Sequence, residues 1–363
     1  MIKKAAQFIV SKKREILLLF WVSVFCFIIL ETLARYLWGK QPDSYGYPPG
    51  LFLPDETKGY KYKPGFTGYF PNSPYDKIYI EINSKGLRDR EHDYKKSPGV
   101  IRILGLGDSI TFGAGVSFED TYLRQLERKL AGAGFSTEII KAGVNSYEFD
   151  QEYTYFAEEG YKYDSDVVVL GLFLNDIREI TFEEVRKQKL DTENLLKDEG
   201  AGISRQDRSR EKMTWKDGVV RICRVCEILR SARRNSYNLR YFQEGVMEEW
   251  TKNWPGFEKK LVGFADELEK SGAKLIIIVF PQTEQFRHSY NLTKMPQERL
   301  QKMGEEYGIE VVDLLPYLDA PNFREIYLAG DSIHFNKNGH NIISDVLYRV
   351  LVEKFFNVNN HAK

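Results

Sequence analysis

Three cysteines in 363 residues, one of them inside an apolar N-terminal stretch, do not make a disulfide framework. Cys223 and Cys226 have C-x-x-C spacing, but no second pair supports a metal site and no redox-type fold context accompanies them. Histidine is scarce too, with five in the chain, so few residues can serve as a base near neutral pH. Net charge is lacking: 52 Lys/Arg match 52 Asp/Glu. Seven basic and two acidic residues within 1–40 give a local +5, leaving −5 for the remainder. That balance gives no overall support for nucleic-acid binding. Gly105, Gly107, Gly113 and Gly115 follow one another closely, yet the Gly-Lys-Ser/Thr ending of a phosphate loop is missing. No internal repeat is present.

What the chain does have begins with an apolar run. Ile16 to Leu30 is apolar apart from Ser23, and the pattern continues through Leu33, Ala34, Tyr36, Leu37 and Trp38. The extended run reaches the roughly 20 residues that cross a bilayer, with Glu31 and Arg35 near its end. Lys3, Lys4, Lys12, Lys13 and Arg14 precede it, which puts the N-terminus in the cytoplasm and the rest outside. A cleaved signal peptide is the competing reading, on the strength of Thr32-Leu33-Ala34. An uncleaved anchor is preferred, because the run is long and ends without a clean small-x-small pair.

The expected organisation is a basic tail and transmembrane anchor at 1–40, then a linker and small β-rich accessory segment at 41–98. The main domain covers 99–355, with a helical insertion at about 177–250, and 356–363 is a tail. Pro48-Pro49-Gly50, Pro64-Gly65 and Pro71-Asn72-Ser73-Pro74 punctuate the accessory segment. Between them Tyr60-Lys61-Tyr62 and Ile78 to Ile82 alternate as short strands do. Their aromatic side chains suit packing of a small sheet better than stacking on sugar rings. The stretch Val219–Arg230 is apolar and Arg-rich, and its charge pattern favours a plain structural helix pair over a cover for the site or a membrane-surface helix.

From Val100 the pattern changes to strands alternating with helices. Strands are expected at 101–106, 138–140, 167–172, 274–280 and 310–313, with helical stripes between them and a closing helix from Gly339 to about Val352. That is an α/β fold: a parallel sheet covered by helices on both faces. Ligands in such sheets bind beyond the carboxyl ends of the strands. Ser109 sits at that rim, straight after the first buried strand, in Gly107-Asp108-Ser109. A serine needs a base and a third group that orients the base. Asp331 precedes His334 by three residues, so in a tight turn its carboxylate can reach the imidazole. An oxyanion needs donors, and two further turns at the same rim offer them: the Gly143 amide and the Asn175 side chain.

These four segments resemble the four blocks of the SGNH/GDSL hydrolase superfamily: Ser109 in Gly-Asp-Ser-Ile, Gly143, Asn175 in Asn-Asp, and His334 in Asp-x-x-His. The resemblance spans residues 98–355 and departs only mildly, with Ile110 where the family has leucine. It implies a three-layer sandwich around a five-stranded parallel sheet. It also implies Ser109, Asp331 and His334 as the triad, with the oxyanion hole formed by the Ser109 and Gly143 amides and the Asn175 side chain. His340, in Asn336-x-x-Gly339-His340, is expected to be structural. The anchor and the Asn83-to-Arg88 lead-in resemble the branch found with bacterial envelope and exopolysaccharide systems. The expected function is therefore a serine esterase removing acyl, above all acetyl, groups from an extracytoplasmic carbohydrate, without cofactor or metal. An O-acyltransferase using the same triad is the alternative; a lipase or thioesterase and a non-catalytic glycan-binding protein rank lower.

Overall fold

The computed structural model describes residues 12–37, 47–70, 78–200, 223–226, 228–229, 233, 241–286, 294–318, 325–328 and 331–356. The chain divides into two compact units, one of residues 1–41 with 205–238 and one of 42–204 with 239–363.

In the first unit, helix α1 (Lys13–Leu37) is 25 residues long. It is long and apolar enough to cross a membrane, with a mean hydropathy of 2.5 over its best window. Glu31 on this helix pairs with Arg35 and accepts hydrogen bonds from the backbone N–H groups of Arg224 at 2.7 Å and Val225 at 2.9 Å. Those two residues begin the helical turn 224–226, which a disulfide between Cys223 and Cys226 closes. It is one local link, not a framework. The rest of the expected 219–230 helix lies largely outside the described residues.

The second unit is built on five strands: β5 (Ile101–Gly107), β6 (Thr137–Gly143), β7 (Val167–Leu172), β8 (Lys274–Val279) and β9 (Glu310–Asp313). They form one parallel sheet in the order β6-β5-β7-β8-β9. Alternate side chains feed two separate cores. Leu104, Leu106, Val168, Leu170, Ile277 and Val279 pack on one face with Phe257, Leu261 and Phe264 of helix α6 (Met247–Lys270). Ile103, Val167, Val169, Ile276 and Ile278 pack on the other with Leu123, Leu126 and Leu130 of α3 (Tyr122–Gly132) and Ile343 and Leu347 of α9 (Lys337–Leu351). A strand buried on both faces has no polar face to show, which is why β7 reads as a continuous apolar run. Successive connections leave β5 and β7 in opposite directions, so a topological switch point opens between their carboxyl ends.

The accessory segment forms two antiparallel pairs. β1 (Phe52–Asp55) runs against β2 (Gly59–Tyr62), and β3 (Thr67–Tyr69) against β4 (Tyr79–Glu81). Several of its aromatics are packing groups. Tyr62 and Phe70 are buried against Phe112 of the main domain, with ring centroids 5.1 and 6.2 Å away. Among the described residues, helices α5 (Phe182–Gly200) and α6 lie between β7 and β8. The second crosses residue 250, where the expected insertion ends.

Candidate active site

Ser109 opens helix α2 (Ser109–Phe112), one turn long, directly after β5. Three glycines seat this turn on the sheet. Gly107 pairs in register with Gly143 on one side and Gly171 on the other. Methyl groups there would sit 2.2 and 2.7 Å from the Thr111 hydroxyl at Gly107 and Gly171, and 2.2 Å from the Phe112 nitrogen at Gly143. Gly107 also has φ +150°, which side-chain-bearing residues rarely adopt. Asp108 caps the turn, its carboxylate accepting from the Ile110 N–H at 2.8 Å.

His334 arrives from the other end of the chain. The Ser109 hydroxyl lies 2.8 Å from His334 Nε2, and His334 Nδ1 lies 2.7 Å from Asp331 Oδ2. The second Asp331 oxygen accepts the backbone N–H groups of Ile333 at 2.8 Å and His334 at 3.1 Å. The carboxylate is thus locked into its own turn before it meets the imidazole. Downstream, Asn336 caps α9 by accepting from the Asn338 and Gly339 amides, while its own amide donates to the Glu325 and Tyr327 carbonyls. A methyl at Gly339 would be 2.4 Å from the Ile326 carbonyl oxygen, so the Asn-x-x-Gly spacing serves to hold the His334 turn against residues 325–328.

Burial alone would lower the His334 pKa, but its hydrogen bond to Asp331, the Asp331 charge and Asp108 together hold it above the ordinary 6.5. Asp331 goes the other way. Burial pushes its carboxyl up, and the hydrogen bonds and charge it shares with His334 bring it below the usual range. Asp108, sealed beneath the serine, is raised by burial. Asp176 is raised well above its usual value by burial and by the neighbouring Glu152 and Asp108 carboxyls. It accepts from the Phe173 N–H at 2.7 Å, which braces the turn carrying Asn175. Trp250 adds a second brace, donating to the Leu174 carbonyl at 2.7 Å. The Asn175 side-chain oxygen is buried with no hydrogen-bond partner among the described residues.

His92 and His340 stay apart from this chain of hydrogen bonds. His340 is buried, accepts from the Tyr122 N–H at 3.2 Å, and is pushed down to about 3 by burial and by the Lys141 charge. His92 bridges Asp89 and Glu138 in a buried charge network. His288 and His361 lie outside the described residues. No group of three or more His, Cys, Asp or Glu placed to hold a metal occurs among the described residues. Sequence reasoning passed over Trp250, Asp108 as a cap, and the roles of Tyr60, Tyr62 and Arg88. Only Asp108 carried a signal, as an Asx residue opening a helix.

A hydroxyl bonded to an imidazole that is itself oriented by a carboxylate is the arrangement that general-base activation of serine requires. Comparison with known proteins gives a family. Residues 106–342 match the GDSL-like Lipase/Acylhydrolase family. No curated protein matches the sequence. Among solved structures, a lipolytic protein of the G-D-S-L family from Desulfitobacterium hafniense is 13% identical, covering 69% of this chain and 99% of its own, with TM-score 0.40. A lipase/acylhydrolase from Enterococcus faecalis is 17% identical, covering 69% and 95%, with TM-score 0.41. An acetylxylan esterase from Geobacillus stearothermophilus is 12% identical, covering 69% and 93%, with TM-score 0.40. Since the family match takes in more than half of the sequence, the chain belongs to the GDSL-like lipase/acylhydrolase family and is a serine hydrolase of the SGNH/GDSL type.

Proposed function

We propose that this enzyme is a membrane-anchored esterase that removes short acyl groups, acetyl above all, from an extracytoplasmic carbohydrate through an acyl-enzyme on Ser109. The observation that carries the reading is the continuous hydrogen-bonded chain Ser109–His334–Asp331 at the carboxyl edge of the sheet. His334 takes the Ser109 proton as the hydroxyl oxygen attacks the ester carbonyl. The negative charge that develops on the carbonyl oxygen is met by the Ser109 and Gly143 amides and the Asn175 side-chain amide. One such donor contributes about 10²–10³ in rate. His334 then gives its proton to the leaving alcohol, and water enters by the reverse path to free the acid.

One feature supports the location in this reading: the basic residues ahead of α1 orient the chain with its enzyme portion outside the cytoplasm. The test is an ester series on the full chain in detergent: p-nitrophenyl acetate, butyrate and octanoate, with an acetylated polysaccharide alongside. Highest kcat/KM on acetate, with acetate released from the polysaccharide, is the expected result. An optimum at octanoate contradicts the short-acyl assignment. Acetyl transfer to an added sugar in preference to water assigns the transferase chemistry instead.

The pH dependence follows from His334. It must be neutral to accept the serine proton, and its pKa in the folded enzyme is raised. Activity is therefore present above that pKa and lost as pH falls through it. The acid limb of kcat/KM should have a midpoint above 6.5, with a slope of about one. A midpoint below 6.5 contradicts the coupling to Asp331.

A further inference from the structure

We infer that the accessory β segment is a working support of the reaction centre, with Tyr60 and Tyr62 acting as positioning residues for the loop that carries the Gly143 amide. The inference rests on the Ser109 reading above and adds to it. The Tyr60 hydroxyl donates to the Asn145 carbonyl at 2.8 Å, and the Asn145 N–H donates to the Tyr62 hydroxyl oxygen at 2.8 Å. The two tyrosines are two apart on β2, so their side chains leave the same face and both reach one residue. Tyr147 answers from the loop, donating to the Tyr60 carbonyl. Both backbone groups of a residue 1% exposed are thereby satisfied from a strand some 85 positions earlier.

The loop needs that hold. Ser146, next in the chain, sits at φ +59°, a left-handed conformation that a non-glycine residue keeps only when its surroundings over-determine it. Gly143 itself has no room to shift toward the serine turn, since even a methyl there would meet the Phe112 nitrogen at 2.2 Å. Val144 is tied to β5 by its N–H bond to the Gly107 carbonyl at 3.0 Å. The side from which the Gly143 peptide could relax is the Asn145 side, and there the tyrosines close it.

The same segment also grips the serine turn. Arg88, 1% exposed, donates to the Phe112 carbonyl at 3.1 Å, the Gly113 carbonyl at 2.8 Å and the Val116 carbonyl at 3.0 Å. Its guanidinium lies 4.9 Å over the Phe112 ring, and the Tyr62 ring packs on Phe112 from the accessory side. A positive group at the carboxyl end of a helical turn is favourable. Nucleophile and oxyanion donor are thus aligned by one element outside the sheet.

Donors aimed at an oxyanion act in the transition state, not in substrate binding, so loosening them lowers kcat and leaves KM alone. The test is Tyr60→Phe/Tyr62→Phe in the full chain, which removes two hydroxyls and keeps both rings. Tyr60→Phe alone serves as the milder variant should the double variant lose its fold. Exposed Tyr69→Phe, on β3, is the control. Turnover of p-nitrophenyl acetate is expressed per site titrated with a fluorophosphonate, and binding of a trifluoromethyl ketone is measured in parallel. A fall in kcat of about 10-fold or more, with KM unchanged and ketone affinity falling in proportion, is expected for the double variant. The control should match wild type. Wild-type kcat per titrated site, or a loss confined to the number of titratable sites, overturns the positioning role. Absence of Ser109-dependent turnover in the wild type strikes instead at the reading of the site.

Discussion

Ser109→Ala should lower ester turnover by about 10⁵–10⁶-fold while leaving the fold intact. The hydroxyl is bonded to His334 Nε2 at 2.8 Å and, weakly, to Asp108 Oδ2 at 3.4 Å. The bonds that hold its turn run instead through the backbone, with the Gly113 and Ala114 N–H groups on the Ser109 carbonyl. Removing the oxygen therefore deletes the nucleophile and little else. What remains is the acceleration that the oxyanion donors and substrate binding give by themselves, about 10³–10⁴ over water. Hydrolysis of p-nitrophenyl acetate and a melting curve on the same sample check both halves. Turnover within about tenfold of wild type would mean that another group makes the acyl-enzyme.

Asp331→Asn is expected to cost about 10⁴ in kcat, again with the fold preserved. The two Asp331 oxygens have different work. Oδ1 accepts the Ile333 and His334 backbone N–H groups, and Oδ2 accepts from His334 Nδ1. In the asparagine variant the remaining oxygen stays with the two backbone donors, because an NH₂ group there would face N–H groups. The NH₂ must then face Nδ1, which forces the imidazole proton onto Nε2, toward Ser109. A histidine in that tautomer cannot take the serine proton. Loss of the carboxylate also removes the charge that raises the His334 pKa, so the acid limb of the residual activity should move to lower pH. Near-wild-type turnover would hand the orienting role to Asp108, whose charge also acts on His334.

How much of this was legible in the sequence differs by element. The segment 167–172 is apolar at every position and buried on both faces, so its pattern and its fate coincide. Helix Phe149–Glu158 is fixed at its start by a local signal, the Gln151 side chain accepting from the Glu148 N–H at 3.2 Å. β1 and β3 gave no clear pattern. They are four and three residues long, and β1 contains Pro54, which a hairpin edge tolerates but a strand signature does not include. The spacing of Asp331 and His334 was readable because a turn of the chain brings them together locally. Ser109 and His334 are 225 positions apart, and their meeting is a property of the sheet order. The buried cations Arg88, Arg102, Arg124 and Lys141 were not foreseeable. Each is at most 1% exposed, and each is neutralised or bonded by groups far away in sequence, such as Asp89 for Arg124. Periodicity cannot mark a charged residue as buried when its partner arrives from another element.

The most direct test of the account is covalent. Full-length enzyme treated with a fluorophosphonate and digested for peptide mass mapping should carry one adduct, on the peptide containing Ser109, and none in Ser109→Ala. Labelling should slow as the pH falls and His334 takes up a proton. No adduct, or an adduct on a different serine that persists in Ser109→Ala, would contradict Ser109 as the nucleophile.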